Sequence, residues 1–309
     1  MKYFILIVCL SCLKLVHAQD TTIVFENKRV SLPEVIVRSN FDYKKLIKQI
    51  KEDTTFYKAF KNLRLLNYSS FNDIQMLDKK GIRQASLFSK TQQIRANGCR
   101  TMKVLQEETT GDFYTKEHDY NYFTGKLYAS LFFTEGKICG ETNTVGNVAL
   151  TTDNSAGLDK HKQQLKMLFF NPGKRIPGIP FIGDKLDLYD GHAHKLYDYR
   201  LDKDEYDGKS CYMFSITPKD DLGPLRDDVV VDGMTTWFDE KSLEVLRRNY
   251  TLSYKAGVYD FDVSMEVEMT HYNDILVPKV LRYKGNWDII LRKRERGVFT
   301  ATLFGFSKE

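Results

Sequence analysis

A pair of histidines separated by one residue is the pattern in this chain closest to a metal site. His192 and His194 stand in the segment Tyr-Asp-Gly-His-Ala-His. On a strand the two side chains would share one face and could chelate an ion, with Asp187, Asp190 or His161 as a further ligand. Gly191 instead favours a turn, on which both imidazoles are simply exposed. With no defined third ligand, we predict neither a bound metal nor another cofactor.

A basic run near the C-terminus could bind an acidic surface. Residues 292–296 read Arg-Lys-Arg-Glu-Arg, and strand alternation would place Arg292, Arg294 and Arg296 on one side. Such a patch suits acidic lipid headgroups or an acidic partner. The alternative is a solvated hairpin tip whose charges discourage edge-to-edge pairing, and we favour it.

Catalytic motifs are not apparent in the sequence. The serines lack nucleophile-elbow spacing, and the glycine-rich loops lack the pattern that cradles phosphate. The cysteines have neither CxxC spacing nor a nearby histidine. We therefore expect a protein that is not an enzyme.

The N-terminus has the three parts of a secretory signal. Lys2 is followed by the apolar residues 4–10, and Val-His-Ala at 16–18 suits cleavage before Gln19. We predict a signal peptide over residues 1–18, with export to the periplasm or outer envelope. No apolar run is long enough to span a membrane, so only peripheral membrane contact is expected. Whether Cys12 carries a lipid stays open.

Charge and composition indicate which classes of partner the protein could bind. Loss of Lys2 and Lys14 with the signal leaves 44 basic against 41 acidic side chains, a formal charge of +3, which gives no reason to expect nucleic acid. The 20 Phe, 18 Tyr and 2 Trp favour strands and large apolar contacts. The predicted mature chain keeps Cys99, Cys139 and Cys211, which allow either one disulfide with one buried thiol or three buried thiols.

The elements that must position any site are mainly strands. From Tyr259 to Met269 every odd residue is apolar and every even residue is polar, so one face of this strand is dry. We interpret the acidic residues on its other face as a wet surface rather than a calcium site. Short strands with tight turns continue from 197 to 306, which predicts an antiparallel meander.

The N-terminal half mixes helices with strands. Residues 41–64 predict two short helices separated by Asp-Thr-Thr at 53–55, and residues 158–169 predict another helix. Strands are expected over residues 73–76, 82–90, 100–107 and 120–133, with residues 128–133 apolar on both faces. An extended segment is expected over residues 21–38. We predict one large domain over residues 19–309, with a possible α+β subregion over residues 19–170.

A proline-rich, apolar loop over residues 173–183 must be buried or contact something. If helices and sheet enclose a cavity, this loop could be its lid. The candidate lining residues are apolar side chains of the loop and of the dry strand faces: Ile179, Phe181, Ile182, Trp237, Tyr259, Phe261 and Met265. The alternative is that these residues form an ordinary core.

Three segments, residues 53–60, 169–178 and 293–304, resemble a family of exported Bacteroidota proteins. The likeness extends over nearly the whole predicted mature chain. The family has no established activity, so it implies no catalytic residues.

Residues 233–239 and 243–248 are similar to a strand–turn–strand passage of the periplasmic lipoprotein carriers and their outer-membrane receptors. That resemblance implies a half-open antiparallel barrel with helices on its concave side.

Together these features predict a mostly β fold, a wide curved antiparallel sheet or half-open barrel with two or three short helices packed on it. The leading hypothesis is a non-enzymatic envelope protein that binds an apolar ligand, such as a lipid, an acyl chain or a lipoprotein. The alternative is an interaction module that holds an envelope protein or glycan through an exposed sheet face or the basic tip.

Overall fold

The computed structural model describes residues 21–25, 28–32, 43–145, 167–176, 183–255, 259–289 and 293–309. The predicted signal over residues 1–18, Cys12 and the loop residues Ile179, Phe181 and Ile182 lie outside this range. So do Arg292, most of the helix expected over residues 158–169 and the side chain of Tyr259. Among the helices in the described ranges, none combines the length and the apolar character that crossing a membrane requires.

Thirteen strands and a few short helices make up the described chain. The helices are α1 Tyr43–Glu52, α2 Thr55–Leu63, α3 Phe123–Phe132 and α4 Ala193–Leu196, with a 3₁₀ helix over Gly223–Asp228. Residues 167–170 are also helical. The strands of the first half are β1 Thr21–Phe25, β2 Lys28–Leu32, β3 Asn67–Leu77, β4 Arg83–Ala96, β5 Cys99–Thr110 and β6 Ile138–Cys139. Those of the second half are β7 Tyr197–Tyr206, β8 Lys209–Pro218, β9 Val231–Asp239, β10 Val245–Lys255, β11 Tyr259–Tyr272, β12 Ile275–Ile289 and β13 Glu295–Ser307.

All thirteen strands belong to one open sheet, in the order β1-β2-β7-β8-β9-β10-β11-β12-β13-β3-β4-β5-β6. Strands β7 to β13 pair in chain order, which is the predicted meander, and β13 then pairs with β3. Neighbours are antiparallel except for β2 and β7. The prediction of a mostly β fold with a wide antiparallel sheet and short helices is confirmed.

The alternation in β11 determines which face of the sheet becomes the core. Phe261, Val263, Met265 and Val267 are all buried, while Asp262 between them is exposed. Directly paired residues on neighbouring strands share a face. Cross-strand pairing therefore extends this dry stripe across the sheet, and the helices pack on it.

A buried ion pair fastens the junction of α1 and α2 to the sheet. The Asp53 carboxylate accepts hydrogen bonds from the Thr55 amide at 2.9 Å and the Thr55 hydroxyl at 2.6 Å, which starts α2. Its other oxygen lies 3.5 Å from a guanidinium nitrogen of Arg248 on β10. Arg248 also donates to the Thr236 hydroxyl at 2.8 Å and lies 4.4 Å from the centre of the Phe56 ring. The predicted break between two helices is confirmed, and its carboxylate has a second role in packing.

The strand expected over residues 120–133 is wrong, because most of this segment is the helix α3. A short run that is apolar on all sides fits a buried helix as well as a central strand. The helix is also stabilised from far along the chain. The amides of Phe123 and Thr124 donate to the two oxygens of Glu295 at 2.8 and 2.7 Å, so this carboxylate caps the helix N-terminus.

Two smaller expectations are also resolved. The extended segment expected over residues 21–38 contains a hairpin of two strands, β1 and β2. Cys99 and Cys139 form a disulfide, and Cys211 is a buried free thiol, so the first of the two cysteine alternatives is confirmed. Burial raises the pKa of Cys211 to about 11, which makes this thiol a poor nucleophile.

Candidate functional site

A pocket of about 270 Å³ lies between α2, α3 and the strands β3 to β6. The ends of α2 and α3 form its sides, and the side chains of Tyr68 on β3 and Gln93 on β4 contribute from the sheet. Ligand-binding pockets are commonly about 300–1,000 Å³, so this volume is just below that range.

One part of the pocket wall is apolar and rich in aromatic rings. Its side chains come from both helices, from β6 and from residue 170: Phe60, Leu63, Leu131, Phe132, Phe133, Ile138 and Phe170. The ring centre of Phe170 lies 4.6 Å from that of Phe60 and 6.0 Å from that of Phe132. These contacts hold the two helices together around the opening.

The other part of the wall is a hydrogen-bonded polar cluster. Arg100 on β5 donates from two nitrogens to the Glu141 carboxylate, with a distance of 3.2 Å from Nη2 to Oε1. Its Nη1 donates to Gln93 Oε1 at 3.2 Å and to the Thr134 hydroxyl. The side chains of Arg100 and Glu141 are 12% and 17% exposed, so the cluster is largely shielded from water.

Two hydrogen bonds to the backbone fix the side chain of Gln93. Its amide nitrogen donates to the carbonyl oxygens of Leu63, the last residue of α2, at 2.8 Å and of Leu66 at 2.7 Å. Because both partners are backbone atoms, this side chain fixes the end of α2 on β4. The polar cluster therefore also helps to position α2, which carries part of the apolar wall.

A second arginine stands at the edge of the polar cluster. Arg64 follows α2, and its Nη1 lies 3.5 Å from Glu141 Oε1. Its side chain is 39% exposed, about three times as much as that of Arg100. Burial raises the pKa of Tyr68 to about 12, although Arg100 and Arg64 oppose that rise. The Tyr68 phenol is therefore neutral near pH 7.

The disulfide lies beside the pocket, next to two of the residues that line it. Cys99 on β5 pairs with Cys139 on β6, directly beside Arg100 and Ile138, which are also paired in register. Strand β6 has only two residues. The disulfide therefore fastens a very short strand, and with it the neighbouring residue Glu141, to the edge of the sheet.

Two of the lining residues predicted from the sequence, Phe261 and Met265, lie elsewhere, in the closed core of the second half. Phe261 and Met265 are 3% and 1% exposed, and Phe261 packs on Trp287 with ring centres 5.2 Å apart. The cavity beside Met265 measures only about 10 Å³, which is close to the least that holds one water. The Tyr250 hydroxyl donates to the carbonyl of Phe169 at 2.8 Å and closes this space from above.

Trp237 does not join that group, because it is on the opposite face of the sheet. It pairs with Arg247 across β9 and β10, and its neighbours Thr236 and Phe238 are the buried ones. Its indole nitrogen donates to Asp204 at 2.9 Å, and the Arg247 guanidinium lies 5.3 Å from its ring centre. Trp237 therefore belongs to a half-exposed surface.

The structure separates the members of the basic run. Arg294 precedes β13 and pairs with Asp288 at 3.1 Å, whereas Arg296 is half-buried within β13. Glu295 between them turns inward to cap α3. The described part of this run therefore does not present a continuous basic patch.

The two histidines do not lie together on a strand. His192 is on a turn, with Nε2 3.5 Å from an Asp228 oxygen, and His194 is in the four-residue α4. A hydrogen bond from Lys185 is the main cause that lowers the pKa of Asp228. Within the described ranges, no three His, Cys, Asp or Glu side chains are grouped as metal ligands.

The pocket is not predicted from the sequence, because its walls depend on the helix α3, for which the sequence predicts a strand. The one signal in the sequence is that Arg100, which lines the pocket, directly follows Cys99.

Comparisons with known proteins find remote likenesses to solved structures. No family of known sequences matches the chain, and no curated protein matches it. A domain from Vibrio parahaemolyticus named for outer membrane lipoprotein sorting is similar in structure, with 9% identity and a TM-score of 0.30, over 84% of this chain and 93% of that chain. A DUF1329 family protein from Desulfovibrio piger shows 12% identity and a TM-score of 0.26, over 86% of this chain and 91% of that chain. At such low identities no residue role is carried over from either protein.

Proposed function

We propose that this protein is a non-enzymatic, exported envelope protein that binds one small apolar or amphipathic molecule in the pocket between α2, α3 and β3 to β6. The observation that carries the proposal is the combination of an aromatic wall with a hydrogen-bonded polar cluster in a space of about 270 Å³. Apolar side chains combined with a few fixed polar groups are typical of ligand sites.

The contrast between the two cavities favours this location. The space beside Met265 measures about 10 Å³, whereas the pocket beside Arg100 is far larger. An acyl chain needs room for several carbon atoms, and only the larger pocket offers it without rearrangement. Phe261 and Met265 are then core residues, and the ligand lies in the N-terminal half of the chain.

The polar cluster is arranged for binding rather than for acid–base chemistry. Both oxygens of Glu141 accept hydrogen bonds from Arg100, and Arg100 also holds Gln93 and Thr134. Groups that are bonded to each other in this way orient a ligand but leave no carboxylate oxygen aimed at a reacting atom.

A change that fills the pocket tests the proposal. Leu131→Trp adds an aromatic ring to the wall at a half-buried position, and we expect it to abolish binding of the neutral fluorescent probe N-phenyl-1-naphthylamine. The matched control is Leu225→Trp, at a position that is 37% exposed on the 3₁₀ helix. The control should bind the probe like the unaltered protein. Equal binding by both variants would place the ligand outside this pocket.

One observation favours the alternative function, an interaction module. Phe71 on the outer sheet face is 41% exposed, and its ring stacks with Phe304 at 5.0 Å between ring centres. Failure of the unaltered protein to bind the probe, together with retained binding to an envelope protein or glycan, would favour this surface.

A further inference from the structure

The charged residues that line the pocket do not balance. Among the residues that the structure describes, they are two arginines, Arg64 and Arg100, and one carboxylate, Glu141. Arg100 engages Glu141 through two of its nitrogens, which satisfies that carboxylate. The pocket therefore carries a surplus of one positive charge at its polar end.

That surplus is located on Arg64. Among the described residues, its guanidinium has one charged partner within 4 Å, and that contact is a loose one of 3.5 Å to a carboxylate already bonded by Arg100. A guanidinium has five N–H donors in a planar fork, which matches the two oxygens of a carboxylate. Arg64 therefore has N–H donors available to a ligand in the pocket.

The surroundings show the same positive field. Burial lowers the pKa of Lys61, one turn earlier on α2, and repulsion from Arg64 lowers it further. Burial raises the pKa of Tyr57, and Arg64 opposes that rise. The other arginine on this edge, Arg95, is paired with Glu309 at 3.7 Å and donates to the Arg64 carbonyl at 2.9 Å, so it adds no free charge to the pocket.

Resting on the function proposed above, we infer that the ligand is an amphiphile with one anionic head, whose carboxylate binds Arg64 beside Arg100 and whose chain lies against Phe60, Phe132 and Phe170. The structure thus assigns the ligand class by charge as well as by apolarity. Glu141 is the internal competitor for the two guanidinium groups, so it limits the affinity for the acidic head.

Calorimetric titration with octanoate, octanol and octylammonium at pH 8 and low salt tests this inference. We expect octanoate to bind most tightly and octylammonium least tightly. Arg64→Gln should weaken octanoate binding by about tenfold, the effect of one charge-assisted hydrogen bond, and should leave octanol binding unchanged. The same substitution at the exposed Arg83, at the far end of β4, is the control and should change neither.

A gain of affinity separates this role from a merely structural one. Glu141→Gln removes the competing carboxylate, so octanoate should bind more tightly, by about tenfold, although the protein is less stable. A damaged fold cannot produce that result. If octanol and octanoate bind equally in every variant, the inference of an anionic head is wrong, whereas the proposed binding of an amphiphile in this pocket is retained. If none of the three amphiphiles binds, both the inference and the proposed function fail.

Discussion

Arg248 shows how a single buried side chain fixes the helices on the sheet. The side chains of Arg248 and Asp53 are 8% and 7% exposed, and among the described residues Arg248 is the cation that pairs with Asp53. Removing one member of such a pair leaves the other charge buried without compensation. The pair therefore makes the position of α1 and α2 dependent on one contact.

We predict that Arg248→Met lowers the free energy of unfolding by roughly 3–5 kcal/mol, measured by urea denaturation. Arg247→Met is the matched control. Its guanidinium pairs with Glu266 at 3.0 Å on the half-exposed opposite face, so the loss should be about 1 kcal/mol or less. The double variant Asp53→Asn with Arg248→Met should recover part of the loss. Equal effects of the two single substitutions would contradict a buried role for Arg248.

Substitution of Phe261 tests whether this residue belongs to the core or lines a ligand cavity. Phe261 is 3% exposed and packs against Trp287, so Phe261→Asp should unfold the protein, with a loss of stability above about 3 kcal/mol. Phe71→Asp, at an exposed position on β3, should cost much less. Thermal denaturation compares the two. If the Phe261→Asp variant stays folded and loses only ligand binding, the ligand site would lie at β11 instead.

At the scale of elements, α3 depends on a residue that is distant in the sequence. Glu295 accepts hydrogen bonds from two amides at the start of α3, and the end of the same helix supplies Leu131 and Phe132 to the pocket. The cap and the binding wall are therefore opposite ends of one helix.

Glu295→Ala should lower stability by about 1–2 kcal/mol, the usual cost of a lost helix cap, and should weaken probe binding because α3 becomes less well ordered. Arg294→Ala is the neighbouring control, since Arg294 pairs only with the exposed Asp288 among the described residues, and it should change neither quantity. Chemical denaturation and probe titration on the same samples measure both effects. A loss of stability with full binding would show that the wall does not need the cap.

The disulfide is the second element-scale device. It closes a loop of 40 residues that contains the whole of α3. Replacing Cys99 and Cys139 by serine should lower the free energy of unfolding by about 2–4 kcal/mol. It should also weaken ligand binding, because β6 then has only backbone pairing to hold Glu141 near Arg100. Cys211→Ser outside the pocket controls for the change of a thiol, and equal binding by the two proteins would exclude the disulfide from the site.

At the scale of the whole molecule, sequence patterns predict the sheet better than the site. The alternation in β11 and the regular turns of the C-terminal half predict the meander, since each strand carries its own pattern. The pocket could not be predicted in this way. Part of its apolar wall comes from α3, whose capping residue Glu295 lies 171 residues from Thr124, and its polar cluster is built around Arg100 on another element. The apolar pattern of α3 alone does not distinguish helix from strand.

The central claim is that the pocket beside Arg64 and Arg100 holds a ligand. Native mass spectrometry of the gently purified protein, with solvent extraction of bound material, tests it most directly. We predict an adduct of one defined mass that is retained in Leu225→Trp and absent from Leu131→Trp. A protein of clean apo mass, or an adduct that persists in Leu131→Trp, would contradict the claim.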